Sequence, residues 1–117
     1  MHIYRIEPTE KGCRALVFGN TAYLSGIVAT DFQAETEVQI TQALERVSIY
    51  LEKVGSTKDW LLNATVYLKS IDDYDQMNRL WSEWLRGHEM PTRTTVIAAM
   101  TNPGILFEVS IVTAVPS

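Results

Sequence analysis

Apolar positions along this chain follow two rhythms. Between residues 35 and 54, Ile40, Leu44, Val47, Leu51 and Val54 recur at steps of four and three, which paints one stripe of a helix. Glu37, Gln42, Glu45, Arg46, Glu52 and Lys53 fill much of the rest, and Gly55 stands where a left-handed residue closes a helix. Residues 61–69 switch to period two. Leu62, Ala64, Val66 and Leu68 point one way and Asn63, Thr65, Tyr67 and Lys69 the other, which predicts a strand with one apolar face. A second helix follows, with Tyr74, Met77, Trp81 and Trp84 as its stripe and Gly87 as its stop. Ser70 with Asp73 three positions on reads as a capping box with Asp in place of Glu, and Asp72 is the alternative cap.

The remaining elements are short. Residues 3–7 are mixed in character and end at Pro8, which predicts an edge strand. Residues 14–18 and 21–25 flank Gly19-Asn20, a two-residue hairpin link. Residues 93–100 and 106–115 read as strands joined by the turn cluster "TNPG". The order is β-ββ-α-β-α-ββ, without repeats, linkers or low-complexity segments, and predicts one domain over residues 1–117. Both helical stripes need a surface to bury. The simplest arrangement is an α+β fold with two helices packed on one face of a single sheet. The other sheet face is then too apolar to leave in water, which predicts association between subunits.

Composition narrows the function. With 46% hydrophobic and 21% charged residues the chain is ordinary for a globular domain. Its formal net charge is −4, and Lys and Arg are scattered singly, so no basic stripe exists for a phosphate backbone. The lone Cys13 makes no internal disulfide and has no His or second Cys at zinc spacing. His2 and His88 are far apart and read as surface residues, so no metal is expected. The start "MHIYRIEP" has neither a basic nor an apolar leader region, and no apolar run nears the roughly 20 residues that span a bilayer. The expected location is the cytoplasm.

Two charges stand out against this background. Arg93 opens an otherwise small and apolar strand, on the same face as Thr95, Ile97 and Ala99. It either reaches solvent, pairs with a structural carboxylate, or holds a ligand. Glu108 lies between Phe107 and Val109, on the less apolar face with Leu106, Ser110, Val112 and Ala114. A carboxylate there needs a partner or takes a raised pKa, and structural pairing and a chemical role both remain open. If the last two strands form a hairpin closed at 101–104, Glu108 lies across from Ile97. Arg93 is then about four residues away, ~13 Å at the usual rise, too far for a direct pair.

These residues carry a family resemblance. "YLSG" after the hairpin, "LEKVGS", "VYLKSIDDYDQMNRLWSEW", "PTRTTV" and "FEVSIVTAV", in this order, resemble the reactive-intermediate deaminase (Rid, or YjgF-type) family over essentially the whole chain. The resemblance implies a chorismate-mutase-like fold assembled as a homotrimer, with clefts between neighbouring subunits. It implies hydrolysis of 2-imino or 2-enamino acids, released by pyridoxal-phosphate enzymes, to 2-oxo acids and ammonia, as in 2-iminobutanoate/2-iminopropanoate deaminases. No metal or cofactor takes part. Arg93 matches the family's substrate-binding arginine, and a guanidinium fork suits a carboxylate. Glu108 matches the glutamate that activates water. Ser25, Gly26, Asn78 and Thr95 match cleft positions, though a strand-end hydroxyl bonding backbone would also explain Ser25 and a solvated helix face Asn78. The chain departs from the pattern in three places. "EKGCRA" lacks the tyrosine that closes the cleft in many members, Cys13 or Arg14 lying nearest. Thr95 stands where cysteine is frequent, and Glu108-Val109-Ser110 replaces Glu-x-Glu. Trp81 and Trp84 are expected to be core. A non-catalytic trimer that binds small carboxylates such as 2-oxo acids is the alternative function.

Overall fold

A computed structural model of the chain describes residues 2–116. Its extents of 43 × 37 × 20 Å allow two layers, since a sheet and a helix packed on it stack at roughly 10 Å. One layer is a six-stranded sheet of β1 (Ile3–Pro8), β2 (Cys13–Phe18), β3 (Thr21–Val28), β4 (Leu61–Leu68), β5 (Thr92–Ile97) and β6 (Phe107–Ala114). The other holds α1 (Thr36–Val54) and α2 (Tyr74–Trp84). The element order is the one read from the sequence, and both helices pack on one sheet face.

The spatial order is β1-β2-β3-β6-β4-β5, which corrects the expected final hairpin. β6 does not pair with β5. It enters the middle of the sheet, antiparallel to β3 on one side and to β4 on the other. β5 runs parallel to β4 at the far edge, with Arg93 beside Ala64 and Thr95 beside Val66. Glu108 therefore lies opposite Tyr67 and Val28, not Ile97. Burial explains the placement. Phe107, Val109, Ile111 and Thr113 are all buried, and such a strand belongs at the centre of a sheet, under α1. β5 has a single paired side and exposes Val96 and Ile97 at the edge.

The α1 stripe is buried in full, and Ala43, Tyr50 and Gln39 join it. Gln39 is wholly buried yet satisfied. Its Nε2 donates to Ala34 O at 3.0 Å and Gly104 O at 2.9 Å, and its Oε1 accepts from Leu106 N at 3.0 Å. This stitches the start of α1 to the loop that feeds β6. Gly55, at φ 82°, closes α1 in the left-handed conformation, where a glycine carries no Cβ penalty. On β4 a bulge between Leu61 and Asn63 puts Leu61 in the core and leaves Leu62 half-exposed, against the simple alternation. The capping box at α2 does not form. Ser70 Oγ accepts from Asp72 N at 3.1 Å and caps a short 3-10 turn over Ile71–Asp73, while Asp73 accepts from the Thr36 hydroxyl at 3.2 Å.

The face away from the helices carries Leu16, Phe18, Tyr23, Val28, Tyr67 and Val112. Phe18 and Tyr23 are 47% and 48% exposed, so the apolar second face expected from the sequence is present.

Candidate active site

Arg93 lies on the helix side of the sheet. Its neighbour on β4, Ala64, is fully buried, and its guanidinium reaches across to α2. Nη2 donates to Asn78 Oδ1 at 2.7 Å, Nη1 donates weakly to Met77 Sδ at 3.6 Å, and the guanidinium carbon sits 5.7 Å from the Trp81 ring centroid. The α2 stripe explains this cradle. Met77 and Trp81 point down at the sheet edge as core residues, and Asn78, one residue round the helix, is half-buried beside them. Among the described residues the ion pairs are Lys53–Glu7, Arg79–Glu37, Arg79–Glu83 and His88–Asp59, so no carboxylate neutralises Arg93. Two N–H groups are engaged and the other donors of the fork remain. Thr95, two residues along on the same side, buries an Oγ1 that has no hydrogen-bond partner among the described residues.

Glu108 lies on the opposite side. Its strand neighbours Phe107 and Val109 face the helices, so Glu108 faces the open side, between Val28 and Tyr67. No salt bridge among the described residues reaches its carboxylate, and burial pushes its pKa above the ordinary value of 4.5. The carboxylate rests on Gly26. A Cβ built there would stand 2.9 Å from Glu108 Cδ and nearer still to Oε2. A bulge in β3 between Leu24 and Ile27 makes room, because Ser25 and Gly26 together span one step of the β6 ladder. Ser25 is exposed beside this contact and lines a hollow of about 300 Å³ at the foot of β1 and β2.

The sequence-predicted residues thus form two groups. Arg93, Asn78 and Thr95 gather under α2, and Glu108, Ser25 and Gly26 gather on the open face. No single chain joins them. Neither Arg93 nor Glu108 lines the hollow beside Ser25, the groove along Leu44, Leu80 and Trp84, or the hollow at Asn20 and Trp60. Trp81 is core, as expected, and also the wall behind the guanidinium, a role sequence spacing did not reveal. Its only signal was a tryptophan three residues after Asn78.

Comparison with known proteins gives one consistent answer. A family model described as Endoribonuclease L-PSP matches residues 3–115. A RutC family protein from Haemophilus ducreyi is 34% identical over 113 residues, covering 97% of each chain. A crystal structure from Pseudomonas aeruginosa superposes with a TM-score of 0.94 at 30% identity, over 98% of this chain and 100% of the other. A YjgF-family member from Neisseria meningitidis gives 0.93 at 27% identity, over 100% and 98%.

Proposed function

The chain belongs to the Endoribonuclease L-PSP family, whose members also carry the names RutC and YjgF, and on that premise we propose a hydrolytic deaminase. It converts reactive 2-imino and 2-enamino acids to 2-oxo acids and ammonia, in clefts between the subunits of a homotrimer. The observation that carries this reading is Arg93. It is a half-buried cation, oriented by Asn78 and Trp81, with no carboxylate partner among the described residues. Such a group is built to receive a carboxylate from outside, through paired hydrogen bonds.

Glu108 from the adjoining chain acts as general base. The oxygen of water adds to the imine carbon while Glu108 takes its proton. The imine enters protonated, so the carbinolamine is neutral; Glu108 returns its proton to the nitrogen, the C–N bond breaks to release ammonia, and the hydroxyl proton passes to Glu108 as the C=O bond forms. A carboxylate desolvated between Val28 and Tyr67 is a stronger base than one in water, which suits this task. Ser25 and the Gly26 backbone border the water's position, and the Thr95 hydroxyl flanks the anchored carboxylate. The apolar open face, with Phe18 and Tyr23 at its centre of exposure, is the surface that subunits cover. The family description names an endoribonuclease. A net charge of −4 with dispersed Lys and Arg favours a small carboxylate over a phosphate backbone. We propose the cytoplasm as its location.

One observation favours the alternative, a trimer that binds small carboxylates without turnover. The whole anion cradle of Arg93, Asn78, Trp81 and Thr95 lies in one chain and does not need Glu108. The test separates the two. Imino acids are generated by an amino-acid oxidase in the presence of semicarbazide, and semicarbazone formation is followed. The enzyme lowers the trapped imine. Arg93→Ala abolishes the effect, and Glu108→Gln reduces turnover by about 10²–10⁴-fold while 2-oxo acid binding persists. Refolding the two inactive variants together restores about a quarter of wild-type activity if each site takes its arginine and glutamate from different chains of a closed ring. No effect on any imine, with 2-oxo acid binding retained, transfers the assignment to the binding protein.

A further inference from the structure

The hollow beside Ser25 carries charge that the deaminase reaction above does not use. It is lined by Glu7, Thr9, Lys11, Cys13 and Arg14 along with Ser25, and it encloses about 300 Å³. Its one acid is already engaged. The Glu7 carboxylate accepts from the Tyr50 hydroxyl at 2.9 Å and from Lys53 Nζ at 3.0 Å, contacts that hold its pKa below the usual carboxylate range. The Arg14 charge adds to that pull on Glu7 from beyond ion-pair distance. Among the described residues neither Lys11 nor Arg14 has a salt bridge. In a chain of net charge −4 this leaves a locally positive concavity.

Its position is fixed from both ends. Ala15 pairs with Leu24 under the helices, so Arg14, one residue before it, faces the open side that also carries Glu108. Ser25 borders the hollow, and its neighbour Gly26 lies directly beneath the Glu108 carboxylate. Lys11 sits in a turn that is pinned. Thr9 N and Thr9 Oγ1 donate to Gly12 O at 2.6 and 3.0 Å, and Thr9 Oγ1 accepts from Lys11 N at 3.2 Å. The hollow therefore reaches, at Ser25, to within one residue of the Gly26–Glu108 contact.

We propose that Lys11 and Arg14 form a second anion subsite, which receives the side-chain carboxylate of an acidic imino acid. It rests on the deaminase reading and names its substrate class: dicarboxylic 2-imino acids, the imines of aspartate- and glutamate-type amino acids. One carboxylate meets Arg93, the imine carbon lies by Glu108, and the far carboxylate meets Arg14 and Lys11.

Two measurements on the wild-type protein and on the double variant Lys11→Ala/Arg14→Ala test this. Both residues are exposed, so the variant is expected to fold. The first compares hydrolysis of imines made from aspartate, glutamate, alanine and leucine. The wild type favours the acidic pair. The double variant loses about fivefold to tenfold on that pair and stays within about twofold on the others, the size expected for a charge-assisted contact in a partly solvated hollow. The preference shrinks in high salt. The second is calorimetric binding of 2-oxoglutarate and 2-oxobutanoate, which needs no turnover. Tighter binding of 2-oxoglutarate, lost in the double variant, supports the subsite even if no imine is hydrolysed, in which case the deaminase reading alone fails. Hydrolysis of alanine and leucine imines without an acidic preference, unchanged in the double variant, overturns the subsite and leaves the deaminase standing. Equal binding of the two oxo acids by both proteins overturns it as well.

Discussion

Replacing Gly26 with alanine should silence the protein without unfolding it. The added Cβ would stand 2.9 Å from Glu108 Cδ and 3.3 Å from Cγ, with Oε2 closer than either. Gly26 does not take a positive φ, so its backbone accepts an L side chain. The atoms in the way are the end of a flexible side chain, not main chain, so the carboxylate is what moves. Restoring ordinary contact requires it to retreat by about 1 Å, and a reacting group misplaced by that much costs about 10²-fold in rate. Stability changes far less. An altered Glu108 rotamer costs about 0.5–1.5 kcal/mol, offset by about 0.4–1 kcal/mol from the stiffer unfolded chain. The net is under about 1 kcal/mol, a shift in Tm of less than about 5 °C for a chain of this size. Initial rates of imine hydrolysis and a thermal melt on the same sample read both effects. Wild-type activity in Gly26→Ala would refute the role of the Glu108 carboxylate at this position. A collapse of Tm would refute the claim that the side chain yields before the backbone.

Three further outcomes follow from the same geometry. Burial raises the folded pKa of Glu108, so its protonated form is favoured by folding; that contribution is full below the unfolded value and lost as pH rises through the raised one. Glu108→Gln should therefore melt above wild type near pH 8, with the difference vanishing near about pH 4, and equal Tm values across that range would contradict the buried assignment. The same ionisation makes kcat/KM rise with pH through a pKa above 4.5, so an activity flat down to that value removes Glu108 as the base. Arg93→Lys keeps the charge but loses the fork and the face presented to Trp81, which should lower kcat/KM for imines by about 10–100-fold; a value near wild type would mean that a point charge suffices. Phe107→Ala, at a fully buried position of the central strand, should cost about 3–5 kcal/mol in urea unfolding, and a loss under 1 kcal/mol would show that the cavity collapses.

How much of this was legible in the chain depended on the range of each interaction. The α1 stripe is local, and every residue of it is buried. The apolar set of β6 is local too, and the period of two placed Glu108 on the face away from the core. Leu62 misled, because a bulge shifts parity by one and the pair Leu61-Leu62 offers either residue to the core. The partner of β5 was not legible at all. "TNPG" has the composition of a tight turn, and the loop around it carries the chain past β4 instead of back onto β5. Strand pairing is non-local, and the parity of one strand says nothing about which face of the next it shares. Asn78 is the instructive case. The family resemblance matched it to a cleft position and a solvated helix face was the alternative, but only the parallel β4–β5 pair brings Arg93 within 2.7 Å of it.

The observed pairing decides where Arg93 and Glu108 stand relative to each other. In a β5–β6 hairpin, Arg93 and Glu108 would belong to adjacent strands, and the question would be one of separation along them. In the observed order β4 lies between the two strands, and the side chains leave the sheet in opposite directions. Rotamer changes cannot bring them together, since the layer they flank is the hydrophobic core's own floor of Ala64, Val66 and Val109. An edge strand is where this barrier can be bypassed. β5 is paired on one side only, so a second chain can lie along its free side with its own open face turned toward α2. The open face leaves Phe18 and Tyr23 half-exposed, and among the described residues no carboxylate pairs with Arg93. If subunits associate as proposed, one contact would meet both conditions, and weakening that interface is then expected to abolish imine turnover before it unfolds the subunit.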